Sequence, residues 1–221
     1  MAPRSTRPTL VLMVRHGKTP TTGQVLPGRA PGLHLAEQGV AQAEGVAERL
    51  LELHKGPSGR AKKVAAIYAS PMERTRETAA PIGTALGQKV LIDKGLLEAD
   101  FGDWTGQKLS VLNKKKEWAT VQRYPSGFRF PGGESFSEMQ TRMTGALAGL
   151  VAKHPGQTVV AVSHADPIKA AVGHAMGTHL DLFQRIVISP CSVSAILYGP
   201  GGPAVLTVNS TGRSLSDLAL S

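Results

Sequence analysis

LVLMVRHG, residues 10–17, joins a run of five apolar residues to an arginine, a histidine and a glycine. The run is short, and a polar stretch rich in glycine and proline follows it, a pattern that predicts a buried strand. In an open α/β sheet the carboxyl ends of strands border the ligand crevice. The sequence therefore predicts Arg15 as an anion-binding fork and His16 as a nucleophile or general base.

A second apolar run has the same design. Residues 159–162 read Val-Val-Ala-Val and lead directly into Ser163 and His164. Two predicted strands that each deliver a histidine to the loop beyond their carboxyl end indicate one shared site.

Strand and helix patterns alternate through most of the chain, which predicts an α/β fold: a mostly parallel sheet with helices on both faces. No repeat or linker is visible, so we expect one domain over residues 1–221, with residues 1–8 as a mobile arm and 211–221 as a tail that frays. Strands are predicted at 10–14, 64–69, 90–92, 159–162, 186–188, 193–197 and 205–208, and helices at 37–53, 72–86 (kinked or broken near Pro81), 135–154 and 167–176.

The composition is that of a globular protein with an affinity for anions. Of 221 residues, 41% are hydrophobic and 19% charged, which argues against disorder. The net charge of +9 favours anionic partners. Basic residues are scattered apart from Lys114–Lys116, and there are few aromatic residues to stack on bases. We expect a small phosphorylated substrate, no nucleic acid partner and no membrane partner.

The single cysteine, Cys191, excludes an internal disulfide framework and fits a reducing compartment. It lies in an apolar, β-like stretch, which predicts a buried, inert thiol. No apolar stretch is long enough to span a bilayer, and no signal-peptide core precedes the first predicted strand. We therefore expect a cytoplasmic protein. Without a His-Glu-x-x-His motif, a cysteine pair or a phosphate-cradling glycine loop, we expect neither a metal nor a cofactor.

Four segments carry candidate chemistry, and three of them directly follow predicted strands. Together they supply arginines that match phosphate oxygens, imidazoles that can attack phosphorus, and a carboxyl group that can protonate a leaving oxygen. This set suits phosphoryl transfer. The segments are residues 15–19, residues 70–79, Leu97-Glu98 with residues 102–106, and Ser163-His164.

Here the chain resembles the histidine phosphatase superfamily, also called the phosphoglycerate mutase-like family, over nearly its whole length. The motifs stand as Arg15-His16-Gly17-x-Thr19, Ser70-Pro71-x-x-Arg74-Thr75-x-x-Thr78-Ala79, Glu98 with Gly102-x-Trp104-x-Gly106, Pro131-Gly132-Gly133-Glu134-Ser135, and Ser163-His164. The resemblance implies a three-layer α/β/α sandwich without a metal. It also implies that His16 is phosphorylated, that Arg15, Arg74 and His164 form the phosphate pocket, and that Glu98 is the proton donor.

The chain departs from the family pattern around the substrate. Many relatives carry Asn where this chain has Thr22, and some phosphatases carry a phosphate-contacting Gln-Gly pair whose nearest match is Pro27-Gly28. Gly or Gln is common after the second histidine, where Ala165 stands here. We take Thr19, Thr22, Gly28 and Ala165 as candidate substrate contacts, beside Arg15 and Arg74. The Ser163–Lys169 segment resembles a branch assigned as phosphomutases, whose substrate the resemblance does not identify.

Several residues keep a second interpretation. Asp100 and Asp103 lie in the same loop as Glu98, and only the family motif selects Glu98. Thr19 could bind phosphate or support a turn, and Arg29 could reach substrate or be solvated. Lys114–Lys116 could be a solvated helix face or a basic lid.

The resemblance leaves three hypotheses for function. The first is a phosphomonoester hydrolase that works through a phosphohistidine, the second a phosphomutase, and the third a non-catalytic phospholigand-binding module. Glycolytic mutases of the family carry longer insertions and an Arg-His-Tyr-like element, where this chain reads Glu98-Ala99-Asp100-Phe101-Gly102. This favours hydrolysis. Many members of the fold pair as dimers, which leaves a homodimer open.

Overall fold

The structure, a computed structural model, describes residues 7–56, 63–212, 215 and 218. Most of the predicted arm, residues 1–6, lies outside the described residues. The described part of the chain contains six strands, which form one sheet in the order β3-β2-β4-β1-β5-β6. Their bounds are β1 Thr9–Arg15, β2 Val64–Ala69, β3 Val90–Ile92, β4 Thr158–Ser163, β5 Val193–Gly199 and β6 Gly202–Ser210.

The sheet is mostly parallel, as predicted. Strands β1 to β4 run parallel to one another, and β5 runs antiparallel to both β1 and β6. Arg15 is opposite Ser163 in the β1–β4 register, and Ala69 is opposite Val162 in the β2–β4 register. The carboxyl ends of β1, β4 and β2 therefore lie side by side at one edge.

The described residues also contain six α-helices: α1 Glu37–Lys55, α2 Glu73–Leu86, α3 Leu109–Leu112, α4 Trp118–Arg123, α5 Phe136–Lys153 and α6 Ala165–Ala175. Helices α1 and α2 pack on the face formed by Leu10, Leu12 and Val14. Helices α5 and α6 pack on the opposite face with Val11 and Met13. Because side chains alternate along a strand, one apolar run fills both cores, and a three-layer sandwich results. None of the described helices is long and apolar enough to cross a membrane.

A third apolar cluster lies beyond the sheet edge and holds the chain around Glu98. It contains all five phenylalanines of the sequence and Trp104, with Trp118 stacked on Trp104 at 6.2 Å between ring centroids. The scarce aromatic residues thus build a satellite core. Its phenylalanines are Phe101, Phe128, Phe130, Phe136 and Phe183.

The structure corrects several predicted elements. Helix α2 runs without a break through Pro81, because packing of Ala79, Ile82 and Leu86 against the sheet compensates for the hydrogen bond that proline cannot donate. No strand forms at 186–188; a 3₁₀ helix, Leu180–Arg185, precedes this segment. Helix α6 begins at Ala165, two residues before the prediction, with His164 as its extended N-cap residue.

Three further predictions need correction. Lys114–Lys116 is exposed but lies in the turn between α3 and α4, not on a helix face. Cys191 is buried, as expected, but lies in a turn before β5 at φ 53°, not in a strand. Most of the tail expected to fray (residues 213, 214, 216, 217 and 219–221) lies outside the described residues, but Leu215 and Leu218 within it are buried in the core beside α1 and α2.

Candidate active site

A pocket of about 350 Å³ opens at the sheet edge where β1 ends and α6 begins. Its lining includes six of the predicted site residues: Arg15, His16, Thr19, Thr22, Glu98 and Ala165. Three other predicted residues, Arg74, His164 and Gly28, are buried behind the lining and are connected to one another by hydrogen bonds. The topology therefore brings the sequence candidates together.

His16 is held as a neutral imidazole. It is 6% exposed, and its Nδ1 lies 2.8 Å from the carbonyl oxygen of Gly17. A carbonyl only accepts, so Nδ1 carries the proton and the lone pair resides on Nε2. Burial, reinforced by the charges of Arg74 and Arg15, lowers the pKa of His16 to about 3. At neutral pH the ring is therefore uncharged, and its unprotonated Nε2 is free to act as a nucleophile.

His164 lies at the end of β4, with its ring centroid 5.3 Å from that of His16. Arg74 Nη2 donates to its Nδ1 at 3.1 Å, so the ring proton is on Nε2, which donates to Ser70 Oγ at 2.9 Å. Burial and the nearby charge of Arg74 lower the pKa of His164 well below its usual value. In this arrangement His164 orients Arg74.

Arg74 is a fully buried guanidinium on the first turn of α2. Its Nη2 donates to the carbonyl oxygen of Gly28 at 2.7 Å. Its Nε and Nη1, and the Nε of Arg15, are buried without a hydrogen-bond partner among the described residues. Buried charged donors left unpaired are costly, and phosphate oxygens match their geometry. These N–H groups fit a bound phosphoryl group.

Glu98 faces the same pocket and is 7% exposed. Burial, together with the negative charge of Asp166, raises the pKa of Glu98 to about 7, against the opposing effects of the Ala99 N–H and the two arginines. Asp103 is exposed, and Asp100 pairs with Arg29 at 3.5 Å. Of the three carboxyl groups left open by the sequence, only that of Glu98 is both buried and part of the pocket lining.

The loop that carries Glu98 is fixed by a pair of arginines. The carbonyl oxygen of Glu98 accepts from Arg29 Nε at 2.8 Å and from Arg142 Nη2 at 3.2 Å. Glu134, in the Pro131–Ser135 motif, bonds both guanidiniums, at 3.0 Å and 2.8 Å. Arg29 does not line the pocket, and its side chain is 29% exposed but paired with the Glu98 loop and Glu134. The sequence analysis did not single out Arg142, because no motif contains it.

The same loop touches the Pro131–Ser135 motif through its backbone. Asp103 N–H donates to the carbonyl oxygen of Pro131 at 2.8 Å, and Glu134 N–H donates to that of Asp100 at 2.9 Å. Gly102 adopts φ +49°, and a Cβ there would lie 2.1 Å from the Pro131 oxygen. Only glycine allows this approach, which explains why the two motifs occur together.

The candidate substrate contacts divide into two groups. Thr22 Oγ1 accepts from the Thr19 N–H at 2.8 Å and bonds the Thr19 hydroxyl at 2.9 Å, so this pair supports the turn and also lines the pocket. Ala165 lines the pocket from the first turn of α6. Gly28 instead binds Arg74 through its carbonyl oxygen.

Sequence reasoning missed several lining residues because no motif marks them. Asp166 and Lys169 form an ion pair at 3.1 Å on α6, and Gln184 bonds Lys169. Thr21 Oγ1 is buried and has no partner within the described part of the chain. The ion pair's spacing of three residues on a helix was the only sequence signal available.

A larger cavity of about 660 Å³ lies between α1 and the turn of Cys191. Burial raises the pKa of Cys191 to about 12, so its thiol is not a nucleophile at neutral pH. None of the residues predicted for phosphoryl transfer lines this cavity.

Comparison with known families matches residues 11–211 to the histidine phosphatase superfamily, branch 1. The chain belongs to the histidine phosphatase superfamily. This confirms the resemblance drawn from the motifs.

Its superfamily relatives include phosphatases and mutases. The chain is 32% identical to a bifunctional protein of Mycobacterium tuberculosis over 93% of its own length, but it spans only 55% of that relative. It is 29% identical to phosphoserine phosphatase 1 of Hydrogenobacter thermophilus, covering 91% of this chain and 92% of that one. It is 31% identical to a probable phosphoglycerate mutase, GpmB, of Cronobacter sakazakii, and the match covers 85% of this chain and 84% of that one.

Solved structures of the superfamily share the fold. The YhfR protein of Bacillus stearothermophilus superposes with a TM-score of 0.82 at 25% identity, over 93% of this chain and 98% of that one. A phosphoserine phosphatase of Entamoeba histolytica superposes with a TM-score of 0.80 at 23% identity, over 94% and 100%. These likenesses confirm the predicted sandwich.

Proposed function

We propose that the protein hydrolyses a phosphomonoester of a small metabolite, without a metal, through a phosphohistidine at His16. One observation carries this proposal: a neutral histidine and a carboxyl group with a pKa of about 7 share a pocket beside unpaired guanidinium N–H groups. The names of several relatives, which include phosphatases, support the same reaction class.

In the first step Nε2 of His16 attacks phosphorus in line with the leaving oxygen. The N–P bond forms as the P–O bond breaks, and Glu98 gives its proton to the leaving alkoxide. Arg15 and Arg74 neutralise the charge on the equatorial oxygens. Neutral His164 holds Arg74 in place by accepting its N–H at Nδ1.

In the second step Glu98 acts as a base. Its carboxylate takes a proton from water, the water oxygen attacks phosphorus, and the N–P bond breaks to regenerate neutral His16 with inorganic phosphate. Glu98 thus alternates between acid and base, for which a pKa of about 7 is suitable.

The test is phosphate release by the wild-type protein and His16→Ala on a panel of phosphomonoesters. We expect the variant to lose at least about 10³-fold in kcat, because His16 is the only histidine among the described residues that line the pocket. The matched control is His174→Ala, an exposed histidine on α6. Comparable turnover by His16→Ala and the wild type would contradict the proposal.

The same panel separates the other two hypotheses. Conversion of 3-phosphoglycerate to 2-phosphoglycerate without phosphate release would identify a mutase, the activity for which one relative is named. Phosphate binding without either reaction, in a folded protein, would indicate a binding module.

A further inference from the structure

An ion pair on the pocket wall contacts none of the reacting groups, although the charge of Asp166 helps to raise the pKa of Glu98. Asp166 and Lys169 are one turn apart on α6, with 3.1 Å between carboxylate and ammonium, and both line the pocket. Their side chains are 19% and 17% exposed. Lys169 Nζ also donates to Gln184 Oε1 at 3.1 Å and lies 5.7 Å from the Phe183 ring centroid. Both charges are therefore held in place yet remain open to the pocket.

On a solvated helix such a pair would need no explanation, since an acid in the first turn and a base three residues later are mildly stabilising. Here the pair borders a pocket whose other groups suit a phosphate dianion. A carboxylate at that place repels an anionic ligand and weakens its binding. Asp166 would be a disadvantage for a substrate whose leaving group carries only negative charge.

We propose that Asp166 and Lys169 form a subsite for a leaving group that carries both an ammonium and a carboxylate, so that the substrate is the phosphomonoester of a hydroxy amino acid. The ammonium would meet Asp166, on the side of Glu98, and the carboxylate would meet Lys169 and Gln184. This assignment rests on the proposed function, which places the phosphoryl group at Arg15, His16 and Arg74.

The charges of such a ligand match those of the pair. In an α-amino acid the ammonium and carboxylate are attached to one carbon atom, so they can each reach one member of a pair whose own charges are 3.1 Å apart. The order of the pocket residues also fits. Helix α6 carries Ala165 and Asp166 at its amino end, next to His164, and Lys169 one turn further on. Lys169 in turn contacts Gln184, so the subsite extends along the helix away from the phosphoryl group.

The pair would also reject related esters. An ester with a carboxylate but no ammonium leaves Asp166 facing a negative ligand, and one with an ammonium but no carboxylate leaves Lys169 without its new partner. Specificity of this kind arises from unmatched charges as much as from favourable contacts.

The experiment compares kcat/KM for four esters: O-phosphoserine, phosphoethanolamine, 3-phosphoglycerate and glycerol 2-phosphate, which has neither charge on its leaving group. We expect O-phosphoserine to exceed glycerol 2-phosphate by about tenfold or more, as charge-assisted hydrogen bonds allow. If the wild-type protein shows equal kcat/KM for glycerol 2-phosphate and O-phosphoserine, the subsite is wrong and the proposed function remains intact.

Two variants assign the charges. Asp166→Asn should reduce the preference for the two esters that carry an ammonium, O-phosphoserine and phosphoethanolamine, over glycerol 2-phosphate. Lys169→Gln should reduce the preference for the two esters whose leaving group carries a carboxylate, O-phosphoserine and 3-phosphoglycerate, over glycerol 2-phosphate. The controls are Glu44→Gln and Lys153→Gln, which remove the same charges from exposed helix positions. An equal loss on all four esters would mean that Asp166 acts through Glu98 or through the fold, and would overturn the subsite.

Binding to the His16→Ala protein tests the subsite separately from turnover. Calorimetry should show O-phosphoserine binding more tightly than 3-phosphoglycerate, and Asp166→Asn in that background should remove the difference. If no ester is hydrolysed by the wild type but this preference is found, the proposed function fails and the subsite stands. If the preference is absent, the subsite is wrong.

Discussion

At the residue scale, Glu98 and His16 owe their protonation states to the same cause, burial, acting with opposite signs. Loss of water disfavours the charged form of each, which raises the pKa of the carboxyl group and lowers that of the imidazole. At neutral pH the pocket therefore holds an unprotonated nucleophile and a carboxyl group that titrates nearby. Acid and nucleophile coexist because their ordinary pKa order is inverted.

This inversion predicts the pH dependence. The first step requires Glu98 protonated, the form that predominates below a pKa of about 7, and His16 neutral, the form that predominates above about 3. Measured with an alkyl phosphomonoester, kcat/KM should decline as the pH rises through about 7. With p-nitrophenyl phosphate, whose leaving group needs no proton, the decline should be shallower. Identical alkaline limbs for the two esters would exclude Glu98 as the acid.

Substitution of Glu98 by Gln separates its two roles. The amide can neither donate the proton nor activate water, so turnover of an alkyl ester should fall by about 10²-fold or more. With p-nitrophenyl phosphate, transfer of the phosphoryl group to His16 should still occur, but hydrolysis of the phosphohistidine should be slow. Rapid mixing should show a burst of nitrophenol close to one equivalent per protein. Slow release without a burst would contradict the double role.

At the element scale, the loop after β1 and helix α1 are locked by glycine. A Cβ at Gly39 would lie 2.0 Å from the carbonyl oxygen of Lys18, and one at Gly17 would lie 2.5 Å from that of Gly39. Both contacts are with backbone atoms, which cannot rotate away. This close approach fixes the segment that follows His16 against the amino end of α1.

Gly39→Ala should therefore move α1 or the loop. We expect a loss of about 1–3 kcal/mol in the free energy of unfolding in urea, together with a fall in kcat/KM. The control is Gly45→Ala in the same helix, where a Cβ meets nothing within 4 Å. Better helix propensity should make this variant more stable by about 0.5–1 kcal/mol. Equal stability of the two variants would show that the contact is unimportant.

Periodicity predicted α1, β2, β3 and α5 nearly to the residue, including the buried face of α5 from Phe136 to Leu150. It failed where a tertiary contact decides the local conformation. The apolar residues 186–188 resemble a strand, but Ile188 accepts a hydrogen bond from Arg15 through its carbonyl oxygen and Val187 borders the pocket. Apolar content alone cannot distinguish a pocket wall from a sheet.

At the scale of the whole molecule, the proton donor depends on distant parts of the chain. Glu98 lies 69 residues from Arg29 and 44 from Arg142, yet both donate to its carbonyl oxygen. Glu134 holds the two guanidiniums and also accepts from the Asp100 N–H at 3.3 Å. The satellite core of aromatic residues packs beneath this network.

Glu134→Gln tests this network as a positioning device. The amide cannot accept all of these hydrogen bonds, so the Glu98 loop should loosen and kcat should fall about 10-fold or more. Vanadate inhibition should change little, because the anion-binding arginines do not contact Glu134. The alkaline limb of the pH profile should also shift. Glu44→Gln serves as the control, and parallel losses of kcat and vanadate binding would favour a general structural role instead.

The alternating strand and helix patterns were enough to predict the sandwich fold, and local chemistry was enough to predict that Arg15 and His16 lie at a sheet edge. Five apolar residues before Arg15-His16 specify a strand buried on both faces, and a strand that ends in a histidine delivers it to the sheet edge. The fold was needed to distinguish Glu98, which is buried in the pocket, from Asp100 and Asp103, and to bring Asp166, Lys169, Arg29 and Arg142 to the pocket or its support. Burial and distance across the fold set those roles, and neither is a property of residues close together in the chain.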